Sequence, residues 1–281
     1  MTCKRMPRHL ADLRSQPIVC LVLIAIAIGM AVAGRMTIGG EQPQADRNQF
    51  EKLLDLAEHA IVTVKYVSKT SYGEETDESD EEFYAVMIEP TGLVLCSASQ
   101  MSSGWGGQSV PKDIKILIGD DTEGVEAKVL AKDSELDLLW LQITNPDKKG
   151  YNCIKFDRSA TPRLGDWIYS IEKKGKYYDR AAIISEDRVG GILKKPRDLV
   201  APSRGVFSDI GMPVFAANGG LVGMFVMHSS DSGALDAGES EWSDTEYMVL
   251  PTESLKKATE QAKKHHAMKE NATADSSEED E

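Results

Sequence analysis

Between Ile61 and Leu250 the chain is a succession of short apolar or alternating runs, separated by turn signals, with almost no run of helical period. Ile61–Val67 alternates as a strand does, Phe83–Ile88 and Leu93–Cys96 flank a Pro90–Gly92 turn, and Ile114, Ile116 and Ile118 precede another turn at Gly119–Asp121. Val125–Leu130 returns, and the mostly apolar run from Leu136 to Ile143 reads as a central strand. Gly165–Ile171 and Arg180–Gly191 form a further pair. Val214 and Phe215 then end one arm of a hairpin, Asn218-Gly219 supplies the positive φ values of its turn, and Leu221–Met227 is the other arm. Tyr247–Leu250 is the last strand. Many short strands at regular spacing mean an all-β sandwich or barrel, and about 190 residues of them suit two six-stranded antiparallel barrels better than one sandwich.

Helices bracket this region. Asn48 followed by Glu51 has the spacing of a capping box, and Phe50, Leu53, Leu54 and Ala57 continue at helical intervals towards His59. Pro251-Thr252 opens a second helix through Leu255, Ala258 and Ala262 that ends in Lys263, Lys264, His265 and His266, suited to the negative end of a helix dipole.

Outside the body the chain is patterned by charge. Lys4, Arg5, Arg8 and Arg14 precede an uncharged apolar run from Pro17 to Gly34. As a helix that run spans roughly 27 Å, close to a bilayer core. Ala31-Val32-Ala33 also fits a signal-peptide cleavage site, but the long basic flank and long apolar run favour an uncleaved anchor. Either way the body is expected outside the cytoplasm, in the periplasm or its equivalent, with the basic flank inside. The expected organisation is a cytoplasmic segment (1–16), an anchor or signal peptide (17–34), a linker (35–47), the β body with its helices (48–266) and a disordered acidic tail (267–281).

The formal net charge is −13, which argues against a nucleic-acid binder. It sits in two runs, one at Glu74–Glu82, expected as a solvated hairpin loop, and one in the tail from Glu270. Neither has the spacing of an EF-hand, and no Cys/His spacing suggests zinc, so no metal or cofactor is expected. In the body, Cys96 and Cys153 fit either a disulfide or two buried free thiols.

The order of motifs along residues 55–265 resembles that of trypsin-like serine peptidases of the HtrA type. The resemblance is carried by Gly92 to Ser99, by Asp133 to Leu141, by Gly165-Asp166, by Ile183-Ile184-Ser185, by Ser208 to Pro213, by Gly220 to Gly223, and by Leu250-Pro251 with its helix. It implies the double barrel of that family, with a degenerate catalytic set. The histidine position falls on Ser99, the orienting carboxylate on Asp137 and the nucleophile on Ile210. In the oxyanion loop, Ser208 replaces a glycine, Gly211 is kept, Met212 replaces a second glycine and Pro213 is kept. A base cannot be made from serine, nor a nucleophile from isoleucine. A dyad of Ser208 with Lys112 or Lys115 has the right residue types but no motif, and His9, His59, His228, His265 and His266 all read as surface or packing residues.

Three functions follow as alternatives. One is an inactive homologue that binds a peptide or protein partner beside the membrane. Another is an active endopeptidase with a non-standard catalytic set. The last is a purely structural barrel of the envelope. The family's carboxy-terminal PDZ domain is not expected in the roughly 30 residues given after Pro251, which are too few for that fold.

Overall fold

The computed structural model describes residues 44–72, 75–101, 108–229 and 245–278. The apolar run at 17–34 and the Gly/Ser stretch around Trp105 lie outside them. Helix α1 (Gln44–Ala57) leads into the first barrel, made of β1 (Ile61–Tyr72), β2 (Glu75–Glu89), β3 (Leu93–Ser97), β4 (Gln108–Leu117), β5 (Val125–Asp133) and β6 (Leu138–Ile143). The second barrel comprises β7 (Trp167–Lys173), β8 (Ala182–Leu193), β9 (Leu199–Pro202), β10 (Pro213–Ala216), β11 (Leu221–Ser229) and β12 (Thr245–Pro251), followed by helix α2 (Thr252–Glu278). Both sheets are antiparallel and closed, in the orders β1-β2-β3-β6-β5-β4 and β10-β11-β12-β9-β8-β7. The expected pair of six-stranded barrels is therefore the observed fold.

The two-residue period of a strand explains how one sequence feeds two cores. Along β1, Val62, Val64 and Tyr66 point into the first barrel with Met87, Cys96, Ile116 and Leu141. The alternate residues Ile61, Val86, Leu93, Leu95, Leu138 and Trp140 point outward into a second cluster. That cluster also takes Tyr169, Ile171 and Met224 of the second barrel, Leu53 and Ala57 of α1, and Leu255, Ala258 and Ala262 of α2. β3 is consequently buried at every position. A third cluster of Ile168, Val189, Val214, Val222, Phe225 and Val249 fills the second barrel.

Several details differ from the sequence expectation. Helix α1 begins at Gln44, so Asn48 lies inside it and does not cap it. The acidic run is strand: Glu75 to Glu82 pair with Tyr72 to Lys65 of β1, and Lys65–Asp80 and Lys69–Glu78 ion pairs at 3.2 Å and 3.7 Å offset the low strand preference of acids. Strand β9 carries no signal beyond Leu199 and Val200, whose burial comes from the barrel. In the β10–β11 turn only Gly219 takes a positive φ, +77°, and the register shifts between Val214 and Phe215. Helix α2 continues past Ala267 to Glu278, over residues of high helix preference such as Ala267, Met268, Lys269 and Glu270. Cys96 is buried and Cys153 half-buried, and both are free thiols. Burial pushes both thiols up, with the charge of Asp137 adding to the effect at Cys96.

Candidate active site

β3 ends at Ser97 and the chain tightens into a 3-10 turn over Ala98–Met101. This turn is held by Asp137, which sits just before β6 with φ +56° and is only 5% exposed. The Ser99 amide donates to Asp137 Oδ1 at 2.8 Å, the Ala98 amide donates to the Asp137 carbonyl at 3.0 Å, and the Ser97 hydroxyl donates to Asp137 Oδ2. Ser97 Oγ also lies 2.6 Å from Ser99 Oγ. From the second barrel, the Met227 amide on β11 donates to Asp137 Oδ2 at 2.9 Å. A carboxylate this buried needs such donors, and these tie the two barrels together.

The segment between β9 and β10 approaches the same turn. Gly211 has φ +81°, and its amide donates to the Phe225 carbonyl at 2.6 Å. A Cβ at Gly211 would stand 2.8 Å from Gln100 Oε1 and 3.0 Å from the Ser97 nitrogen, so only glycine admits this contact. Ile210 packs its side chain against the core of the second barrel, and Met212 is fully buried. Ser208 is turned elsewhere: its amide donates to Glu172 Oε1 at 3.1 Å and its hydroxyl to Glu172 Oε2 at 2.8 Å. Glu172, on β7, has no exposed surface.

Asp209 lies beside this pair. Burial, then the charge of Glu172, pushes its carboxyl above the usual range, against the opposing pull of Lys174. A raised folded-state pKa means that the native protein holds the proton more tightly than the unfolded chain. The favourable contribution is present below the unfolded value and is lost as pH rises through the folded one. Asp209→Asn is therefore expected to raise the melting temperature at pH 7, with the gap to the unmodified chain closing below about pH 4. Thermal melts across that range check this, and a variant less stable than the parent at neutral pH would show that the Asp209 charge is favourable.

The structure brings Ser99 and Asp137 together and sets Gly211 against the turn that carries Ser99. It does not bring Lys112 or Lys115 to the Ser208 hydroxyl, which is bonded to Glu172; both lysines are on β4, opposite Val67 and Lys65. His59 is exposed beside Glu58, His228 is opposite Glu246 on the β11–β12 ladder, and His265 and His266 are on α2. Among the described residues no cluster of His, Cys, Asp and Glu could hold a metal ion. Ser97, Gln100, Glu172 and Met227 also belong to this site, although no motif marks them in the sequence. Met227 contributes only its backbone, and Glu172 is followed by Lys173 and Lys174, so nothing in its neighbourhood marks it as buried.

Residues 84–224 match the trypsin-like peptidase domain, a span that runs from β2 to β11 and covers just over half of the chain. The chain belongs to the trypsin-like peptidase domain family. The matched span includes Ser99, Asp137, Ser208, Ile210 and Gly211. No curated protein matches the chain.

Proposed function

We propose that this trypsin-like domain is of the HtrA type and catalytically inactive, and that it binds an extended peptide or protein segment in the cleft between the barrels without cutting it. In this reading Ser99, Asp137 and Ile210 occupy the places of histidine, aspartate and serine. The observation that carries it is the engagement of Ser208. Its amide would be one of the two oxyanion donors, and it is bonded to Glu172 instead. An acidic group at that place competes for the donor and opposes the negative charge that an acyl-transfer transition state must develop. Ser99 has no basicity to take a proton, and Ile210 has no atom that attacks a carbonyl.

Binding survives these losses because main-chain pairing with an extended segment needs no triad. Residues 17–34 would hold the domain at the membrane with the barrels exported. Two measurements on the full chain in detergent test the proposal. A titration with a peptide library, followed by NMR, is expected to shift resonances near Ser99, Asp137 and Ile210, and silence there favours a purely structural barrel. Mass spectrometry is expected to find the amino terminus ahead of Pro17, and a mature chain starting near Gly34 would make the domain a secreted one.

A further inference from the structure

Closure of the first barrel uses only part of β2. The strand pairs with β1 from Glu75, opposite Tyr72, to Val86, opposite Ile61, but with β3 only from Val86 onward. Among the described residues, the outer side of Glu75–Ala85 faces no strand. In an antiparallel ladder alternate residues turn their N–H and C=O groups away from the partner, so this edge offers unpaired groups at regular intervals. Such an edge is a template for another strand.

The side chains decide which strand. Asp77 to Glu82 are all exposed. Glu78 and Asp80 reach to Lys69 and Lys65 of the neighbouring β1, and Glu82 meets Arg180 at 3.2 Å. Asp77 and Glu81 meet no cation among the described residues, and Glu81 accepts only the Ser79 hydroxyl at 2.9 Å. A second copy of this edge would set acid against acid, which disfavours self-pairing. The same charge favours lysine and arginine.

A second feature adds exposed contact surface. The loop between β7 and β8 abuts β2: the Tyr84 hydroxyl donates to the Lys174 carbonyl at 2.6 Å, and Arg180 pairs with Glu82. That loop carries Tyr177 and Tyr178, 90% and 62% exposed, with ring centroids 5.1 Å apart and edge to face. The same loop carries Lys174, Lys176 and Arg180, so the rings offer apolar contact surface beside β2 and the cation attraction is left to the acidic strand.

We propose that the outer edge of β2 over Asp77–Glu81, with Tyr177 and Tyr178, is an interaction surface that takes an extended lysine- or arginine-rich segment of a partner protein as an added β-strand. It does not rest on the function proposed for the inter-barrel cleft.

The test uses the full chain and a fluorescent octapeptide of alternating lysine and threonine, read by anisotropy. Binding is expected, weakening as salt rises. Methylating alternate backbone nitrogens keeps the peptide's charge but removes its ladder donors, and is expected to weaken binding about tenfold or more. The Asp77→Lys, Glu81→Lys double variant leaves the Lys65 and Lys69 ion pairs in place and is expected to lose a similar factor, about tenfold, through charge reversal. Should that variant fold poorly, the methylated peptide against the unmodified chain still decides. Absence of binding, equal binding of the methylated peptide, or equal binding by a folded double variant would each overturn the proposal.

Discussion

On the proposed reading, Ile210→Ser alone is expected to restore no peptide-bond cleavage. The new hydroxyl would need a base within about 2.6–3.2 Å, and Ser99 cannot be one. Catalytic triads act as units, so one restored member recovers little of a combined loss on the order of 10⁶ in turnover. Adding Ser99→His is expected to give only slight recovery. An imidazole there would look to Asp137, whose Oδ1 already takes the amide of residue 99 and whose Oδ2 takes Ser97 and Met227. The oxyanion deficit would also persist, worth roughly 3–4 kcal/mol. The triple variant with Ser208→Gly is expected to recover most. It removes the hydroxyl bond to Glu172 and gives the backbone the freedom to turn its amide away from that carboxyl. Quenched-peptide turnover by the three variants gives the order, beside a fluorophosphonate probe on the unmodified chain. Stoichiometric labelling of the unmodified chain, or turnover sensitive to a serine-directed inhibitor, would show that Ile210 and Ser99 are not the residues they are proposed to replace.

Trp140→Ala is expected to cost about 3–5 kcal/mol of folding stability. Trp140 is 1% exposed on β6, and its side chain lies in the cluster shared by both barrels and both helices. Its indole N–H donates to Thr259 Oγ1 of α2 at 3.0 Å. Truncation removes the largest fully buried side chain among the described residues, leaves a void where several elements meet, and takes a buried hydroxyl's partner away. Against a total stability of about 5–15 kcal/mol this is a large share. Thr259→Val isolates the hydrogen bond and is expected to cost only about 1 kcal/mol. Denaturant melts of both variants separate the two terms. A loss below about 1 kcal/mol for Trp140→Ala would mean that the shared cluster does not hold the barrels together.

The barrels were legible in the sequence because strand period and turn residues are local properties. Pro90–Gly92 and Gly219 mark their turns directly, and the expected strands along 61–67, 93–96 and 221–227 lie within β1, β3 and β11. The acidic stretch was not legible as strand. Its strand state depends on lysines of β1 that become neighbours only once the hairpin pairs. At the site, the meeting of Ser99 and Asp137 follows from the order of motifs, since one follows and the other precedes a strand of one ladder, with Ser97 opposite Leu138. The role of Glu172 could not be read in the same way. It depends on β7 carrying an acidic side chain beneath a loop 36 residues away in the chain.

Helix α2 meets both barrels. It packs on β11 and β12 of the second and on β5 of the first, Thr259 receives the indole of Trp140, and Lys263 pairs with Glu89 at 2.8 Å. It also follows both barrels in the chain. As the chain emerges, each barrel can close once its own strands are free, but this helix cannot clamp them until both are out. A chain that has emerged only as far as β12 would therefore hold an incompletely covered apolar seam, and its exposure to chaperones and proteases would be set by the delay before the helix follows.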